Sequence, residues 1–198
     1  MSSLADGLES IPAIAIVRDR EGTALATARR LVGAGLRVVE ITTNSPGWQE
    51  AVQDLSSEKG ICVGVGTVLT LEHVRMSADL GASFVVSPGV STAVVCAALE
   101  QGLEVIPGVT SATEVILALS AGATWIKLFP AGALGTAYLN SLREPFDDVC
   151  WVPTGGVSLE SAPEWFAAGA KAIGLGSRIA TMPADEVSAR VAELGRAY

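Results

Sequence analysis

One lysine of this chain lies in apolar surroundings, where lysine is uncommon. Lys127 stands in "ATWIKLFPAG" (residues 123–132), and the chain has two other lysines, Lys59 and Lys171. Burial disfavours the charged form of a lysine, and a neutral amine condenses with a ketone to a Schiff base. The protonated imine is an electron sink, so the adjacent carbon–carbon bond can break or form without a metal or cofactor. A lysine that extends from a strand end to solvent is the alternative.

Other groups that could take part in this chemistry stand at the ends of further apolar runs. They are Arg18, Glu40, Thr67, Thr154, the pair Gly155–Gly156 and the pair Gly176–Ser177. Glu40 is the only carboxylate among them, so it is the candidate proton shuttle; a capping or salt-bridge residue is the alternative. The glycine pairs could close backbone N–H groups on a phosphate, with the positive end of a helix starting near Ser158. Glycine pairs are also common in ordinary turns.

A repeated unit must position these residues. Each copy is a glycine followed by β-branched apolar residues, and each glycine follows a stretch of helical composition, where a left-handed residue ends a helix. The copies begin at Gly35, Gly60, Gly81, Gly102, Gly122 and Gly169. Ser111 with Glu114 fits a capping box, and Thr70, Ser91 and Ser158 are candidate N-caps.

With "IPAIAIVR" and "CWVPTGG" there are eight strand-like runs, and each is followed by a helical stretch. The carboxyl ends of consecutive runs lie 20 to 27 residues apart. Eight βα units predict a TIM (β/α)8 barrel, in which the carboxyl ends of all strands form one mouth. An open doubly wound sheet uses the same units and is the alternative. No linker interrupts the pattern, so residues 1–198 are predicted to form a single barrel domain.

The composition limits the possible partners. The chain is 49% hydrophobic and 17% charged, which is typical of strands buried on both faces. A net charge of -8 disfavours nucleic acid and anionic membranes as partners. No apolar run approaches the roughly 18–20 residues of a spanning helix, and no signal peptide is evident. Three scattered cysteines predict buried, reduced thiols in a cytoplasmic protein, and a single histidine, His73, argues against a histidine-ligated metal site.

Several segments together resemble one enzyme family. They are "VVEITTNSPGW", "VGVGTVLT", "GASFVVSPGV", "VIPGVTSATE", "WIKLFPAG", "PTGGVS" and "GLGS". In order and spacing they are similar to the 2-keto-3-deoxy-6-phosphogluconate (KDPG) aldolases and their phosphogalactonate and 4-hydroxy-2-oxoglutarate (KHG) relatives. The resemblance implies a homotrimeric class I aldolase without a metal. Its substrate would be a phosphorylated 2-keto-3-deoxy sugar acid, cleaved to pyruvate and glyceraldehyde 3-phosphate.

The resemblance also assigns roles. Lys127 matches the Schiff-base lysine and Glu40 the proton-shuttling carboxylate, while Thr67 matches a residue that binds the pyruvate carboxylate. Pro88 and Phe129 match walls of the pyruvyl pocket. The distal substrate and phosphate positions are matched by Thr154, Gly155, Gly156, Gly176 and Ser177.

One departure concerns substrate choice. Many KDPG aldolases have "TLR" after the catalytic glutamate, where this chain has "TTN" with Asn44 in place of the arginine. The "NSP" at residues 44–46 resembles the phosphogalactonate relatives, and that resemblance implies that Arg18, at the end of the first strand, could supply the missing cation. In contrast, "PTGGV" resembles the gluconate type. Both epimers therefore stay open, as does KHG. Two rival functions also stay open: a phosphate-binding barrel isomerase or synthase that uses Lys127 electrostatically, and a non-catalytic sugar-phosphate-binding barrel.

Overall fold

The structure is a computed structural model that describes residues 3–198. Its strands are β1 (Ala13–Val17), β2 (Val38–Thr42), β3 (Cys62–Gly66), β4 (Phe84–Val86), β5 (Glu104–Ile106), β6 (Gly108–Val109), β7 (Trp125–Leu128), β8 (Cys150–Pro153) and β9 (Ile173–Leu175). Its helices are α1 (Leu4–Leu8), α2 (Ala24–Gly33), α3 (Trp48–Ser56), α4 (Leu71–Asp79), α5 (Thr92–Glu100), α6 (Ala112–Ser120), α7 (Ala131–Leu134), α8 (Thr136–Arg143), α9 (Ala162–Ala167), α10 (Ser177–Thr181) and α11 (Ala184–Ala197).

The strands form two parallel sheets. Six of them make a curled sheet in the order β5-β4-β3-β2-β1-β9, and the other three make a second sheet in the order β6-β7-β8. The predicted TIM (β/α)8 barrel, a closed sheet of eight strands, is therefore wrong. Pro107 lacks an N–H group and separates β5 from β6, and a single bridge between Thr154 and Gly174 joins β8 to β9. The βα units and the parallel direction of the strands agree with the prediction.

Glycines end the helices as the sequence indicates. All six glycines that open the repeated unit have a positive φ, between 74° at Gly102 and 111° at Gly35. An L-residue with a Cβ would be strained in this conformation, so these positions favour glycine.

Hydroxyl groups begin several helices. Ser111 and Glu114 form the predicted capping box of α6, and Thr70 caps α4 as predicted. Ser91 likewise accepts a hydrogen bond from the N–H of the third residue of α5. The prediction for Ser158 is wrong, because α9 begins only at Ala162 and its N-cap is Ser161. The expected positive helix end beside the "PTGGV" loop is thus displaced along the chain.

An inner cluster of apolar side chains lies on the concave side of the strands. Helix α1 packs against the part of this cluster that lies nearest the amino termini of the strands. The sequence pattern did not predict this helix. Leu4 is fully buried there, and its backbone N–H donates a 2.7 Å hydrogen bond to Oε1 of Glu104. A larger cluster fills the space between the strands and the outer helices.

The three cysteines differ in their surroundings. Cys62 is buried in the inner cluster, where burial raises the pKa of its thiol to about 12. Cys150 is half-buried, but Cys96 is exposed, so the prediction of three buried thiols is wrong for Cys96. Within residues 3–198, no helix combines the length and the apolar character needed to cross a membrane.

We expect Leu4→Ala to lower the free energy of unfolding by about 2–5 kcal/mol, because it leaves a cavity in the inner cluster. Urea denaturation measures this change. Leu69→Ala is the control, since Leu69 is 58% exposed and its truncation should change stability by less than about 0.5 kcal/mol. Equal stabilities of the two variants would mean that α1 does not contribute to the core.

Candidate active site

Lys127 and Glu40 share the inner face of the strands. Successive side chains of a strand alternate between faces, so Glu40 points to the same side as Val38, and Lys127 to the same side as Trp125. Val38 belongs to the inner cluster, and Trp125 packs against it. Lys127 is 7% exposed and Glu40 is 2% exposed. The strands therefore hold an amine and a carboxyl group in one enclosed space near their carboxyl ends.

Burial sets the protonation of Glu40. Removal from water raises the pKa of its carboxyl group, and the positive charges of Lys127 and Arg18 oppose part of that rise. None of the ion pairs among residues 3–198 involves Glu40 or Lys127. A carboxyl group with a raised pKa holds its proton to higher pH than an exposed one, which suits a group that must both donate and accept a proton.

The space for Glu40 is provided by a glycine on the next strand. A Cβ placed on Gly66 would lie 1.8 Å from Oε1 of Glu40, so no larger residue fits beside the present carboxyl position. Sequence reasoning assigned no role to Gly66. The only local signal is the alternation of valine and glycine in "VGVG", which indicates close approach but not by what.

Arg18 and Thr67 meet across the mouth. Nη2 of Arg18, just beyond β1, donates a 3.4 Å hydrogen bond to Oγ1 of Thr67, just beyond β3. Thr67 has a φ of 59° and is the one non-glycine residue with positive φ in the described part of the chain. Such backbone strain often occurs at functional sites and persists only where the surroundings hold it.

An aromatic ring covers the lysine. Nζ of Lys127 lies 5.0 Å from the ring centroid of Phe129, within the range of a cation–π contact. The same ring packs against Gly155, where an added Cβ would lie 2.9 Å from Cε2 of Phe129. Pro88 has an exposed side chain, but its carbonyl packs against Gly108, the residue opposite Lys127 in the β6–β7 ladder.

The two glycine-rich loops lie on either side of the seam between the sheets. Thr154 is buried, and its side chain fills the space beside Gly174. Gly155 and Gly156 follow with φ near +83° and +80°. Gly176 and the exposed Ser177 lie just beyond Gly174, at the start of α10.

The structure thus brings all the predicted site residues to the carboxyl ends of the strands, although Pro88 contributes its backbone there. Sequence reasoning missed Arg178, which lines a small cavity with Ser158 and Gly176. It also missed the hydroxyl groups of Thr43 and Ser45, whose contacts join neighbouring strands. Residues 3–198 contain no cluster of three or more His, Cys, Asp or Glu side chains suited to a metal ion.

We expect Glu40→Gln to become more stable relative to the wild type as pH rises. A raised pKa in the folded chain contributes stability that is present in full below the ordinary value of 4.5 and is lost as pH rises through the raised pKa. Glutamine keeps the shape and removes the titration. Melting temperatures from about pH 4.5 to about pH 8 measure the effect, with the exposed Glu50→Gln as control. If the melting temperatures of the wild type and Glu40→Gln changed in parallel with pH, the raised pKa of Glu40 would be contradicted.

Comparison with known proteins identifies the family. The family model described as "KDPG and KHG aldolase" matches residues 5–193. The 2-dehydro-3-deoxy-phosphogluconate aldolase of Treponema pallidum is 38% identical over 170 residues, 84% of this chain and 81% of that protein. The 2-dehydro-3-deoxy-6-phosphogalactonate aldolase of Escherichia coli K12 is 35% identical over 195 residues, 95% of each chain.

A solved structure adds chemical information. The KDPG aldolase of Legionella pneumophila, with pyruvate captured at low pH as a covalent carbinolamine intermediate, superposes with a TM-score of 0.83 at 27% identity. The match covers 99% of this chain and 98% of that one. The resemblance inferred from the sequence motifs is therefore confirmed, and the chain belongs to the KDPG and KHG aldolase family.

Proposed function

We propose that this chain is a class I aldolase that cleaves 2-keto-3-deoxy-6-phosphogluconate, or its galactonate epimer, to pyruvate and glyceraldehyde 3-phosphate. The observation that carries the proposal is the burial of Lys127 and Glu40 on one inner face, with the charge of Lys127 acting on the Glu40 carboxyl. KHG is a further candidate substrate, since the family includes aldolases for it.

The amine of Lys127 attacks the C2 ketone and forms a carbinolamine, which loses water to give the protonated imine. The C3–C4 bond then breaks, and its electron pair moves into the iminium group to form the enamine of pyruvate. Glu40, acting through a water molecule, accepts the C4 hydroxyl proton as glyceraldehyde 3-phosphate leaves, and returns a proton to C3. Hydrolysis of the imine releases pyruvate and restores the amine.

Binding groups surround this centre in the proposal. Arg18 and Thr67 hold the carboxylate of the keto acid, since their 3.4 Å contact brings a cation and a hydroxyl together. Pro88 and Phe129 bound the pyruvyl part. The distal hydroxyl and phosphate groups lie against Thr154, Gly155, Gly156, Gly176 and Ser177. Binding of the distant phosphate would orient the scissile bond over Lys127.

The proposal includes a homotrimer in which residues 1–198 act as one domain, in the cytoplasm. An exposed apolar surface formed by Leu99 of α5 with Ile116 and Leu117 of α6 supports self-association, because these side chains are 40%, 55% and 45% exposed. The cytoplasmic location is inferred from the cysteine pattern.

We expect the purified chain to have three times the mass of one chain by light scattering, and Ile116→Glu to shift it towards the monomer, since a buried charge opposes association. Ala26→Glu on the exposed face of α2 is the control for the added charge. A wild-type monomer, or a trimer that persists unchanged in the Ile116→Glu variant, would contradict this assignment of the interface.

We expect borohydride reduction in the presence of pyruvate to attach a pyruvyl group to Lys127 alone, as read by intact mass and peptide mapping. Lys127→Arg, which keeps the charge but is not nucleophilic, should lower kcat by at least about 10³-fold, because the imine is an essential intermediate. Near-normal turnover of Lys127→Arg would favour an electrostatic role, and a protein that releases no pyruvate from either epimer or from KHG would favour binding only.

A further inference from the structure

The segment that follows β2 connects the two neighbouring strands through its hydroxyl groups. On one side, Thr43 reaches the loop after β3: its backbone N–H donates to the carbonyl of Gly66, and its Oγ1 donates to the carbonyl of Thr67, both at 2.9 Å. These bonds hold the two peptide groups on either side of Thr67. They therefore support the left-handed conformation of Thr67.

On the other side, the same segment reaches the loop after β1. Oγ of Ser45 accepts a 3.0 Å hydrogen bond from the N–H of Asp19 and lies 3.1 Å from Oγ1 of Thr42. Oγ1 of Thr42 in turn lies 3.3 Å from the carbonyl of Val17 and 2.8 Å from Oδ1 of Asn44. Ser45 is 2% exposed and Thr42 is fully buried. The residues before and after Arg18 thus both contact this hydroxyl pair.

The contacts of this network fit a Ser45 hydroxyl that donates to Thr42. Since the Asp19 N–H donates to Ser45, the single hydroxyl proton of Ser45 is free to point at Thr42. The Thr42 proton then points at Asn44, its nearest acceptor, or at Val17. A buried hydroxyl pair whose donors and acceptors are paired in this way holds its partners in one arrangement.

We propose that Thr43 and Ser45 are positioning residues that set the distance between Arg18 and Thr67 and thereby the affinity for the substrate carboxylate. The inference rests on the proposed function, in which Arg18 and Thr67 bind that carboxylate. Arg18 is exposed, so the position of its guanidinium group relative to Thr67 depends on the backbone of both loops. Among residues 3–198, the segment after β2 is the one that is hydrogen-bonded to both loops, and it follows Glu40 on the same strand.

The test uses pyruvate as the probe and measures borohydride trapping on Lys127 against pyruvate concentration. Ser45→Ala and Thr43→Val should each raise the half-saturating concentration about tenfold, as the loss of one ordering hydrogen bond would. The trapping rate at saturation should change by less than about twofold, because neither residue touches the amine. Thr43→Ser keeps the hydroxyl and should restore the wild-type value.

The matched control is Ser77→Ala. Like Ser45, Ser77 is a buried serine, and it donates to a backbone carbonyl, that of His73 at 2.7 Å, but it lies on α4 away from the mouth. Its loss should lower thermal stability without changing the half-saturating concentration. In an Arg18→Met background, Ser45→Ala should add no further increase, since its effect passes through Arg18.

The outcomes separate the two proposals. If Arg18→Met raises the half-saturating concentration but Ser45→Ala and Thr43→Val behave like Ser77→Ala, the positioning role is wrong and the carboxylate site stands. An additive effect of Ser45→Ala in the Arg18→Met background also overturns the positioning role. If Arg18→Met changes nothing, the carboxylate site itself fails, and the positioning role fails with it.

Discussion

The burial of one carboxyl group and one amine on the same inner face is the constraint on which the rest of the site depends. Each group alone would be costly to hold away from water, and the charge of Lys127 offsets part of the cost for Glu40. The arrangement needs two strands from different sheets, β2 and β7, to present their inner faces to one space. It also needs room, which Gly66 provides by having no side chain.

The inner face is divided along the direction of the strands. At the amino-terminal end, Leu4 and Leu8 of α1 pack with apolar strand residues and exclude water. At the carboxyl end, the same strands present Glu40, Lys127 and Thr154. In parallel sheets ligands bind beyond the carboxyl ends of the strands, so stability and chemistry are placed at opposite ends of one structure. Loops at the chemical end can therefore vary in sequence without loss of the core.

The seams between the sheets explain why a prediction from repeated units went wrong. Eight similar βα units indicate that the strands are parallel, but not how many hydrogen bonds form between each pair of strands. Pro107 interrupts the ladder at one seam, and a lone bridge at Thr154 and Gly174 is what remains at the other. The glycine-rich loops proposed for phosphate binding lie beside this second seam, where few ladder bonds restrict the backbone.

The sequence by itself determined the local conformations and the family, and it predicted residues that the structure brings to the carboxyl ends of the strands. Left-handed glycines, the capping box of α6, the buried runs and the family motifs are all properties of short segments, and the structure agrees with them. Only the tertiary structure decided the division into two sheets, the packing of α1, the room that Gly66 leaves for Glu40, and the hydrogen bonds of Thr43 and Ser45. The physical reason is that these contacts join residues far apart in the chain, so their geometry depends on how whole strands pair and not on any local preference.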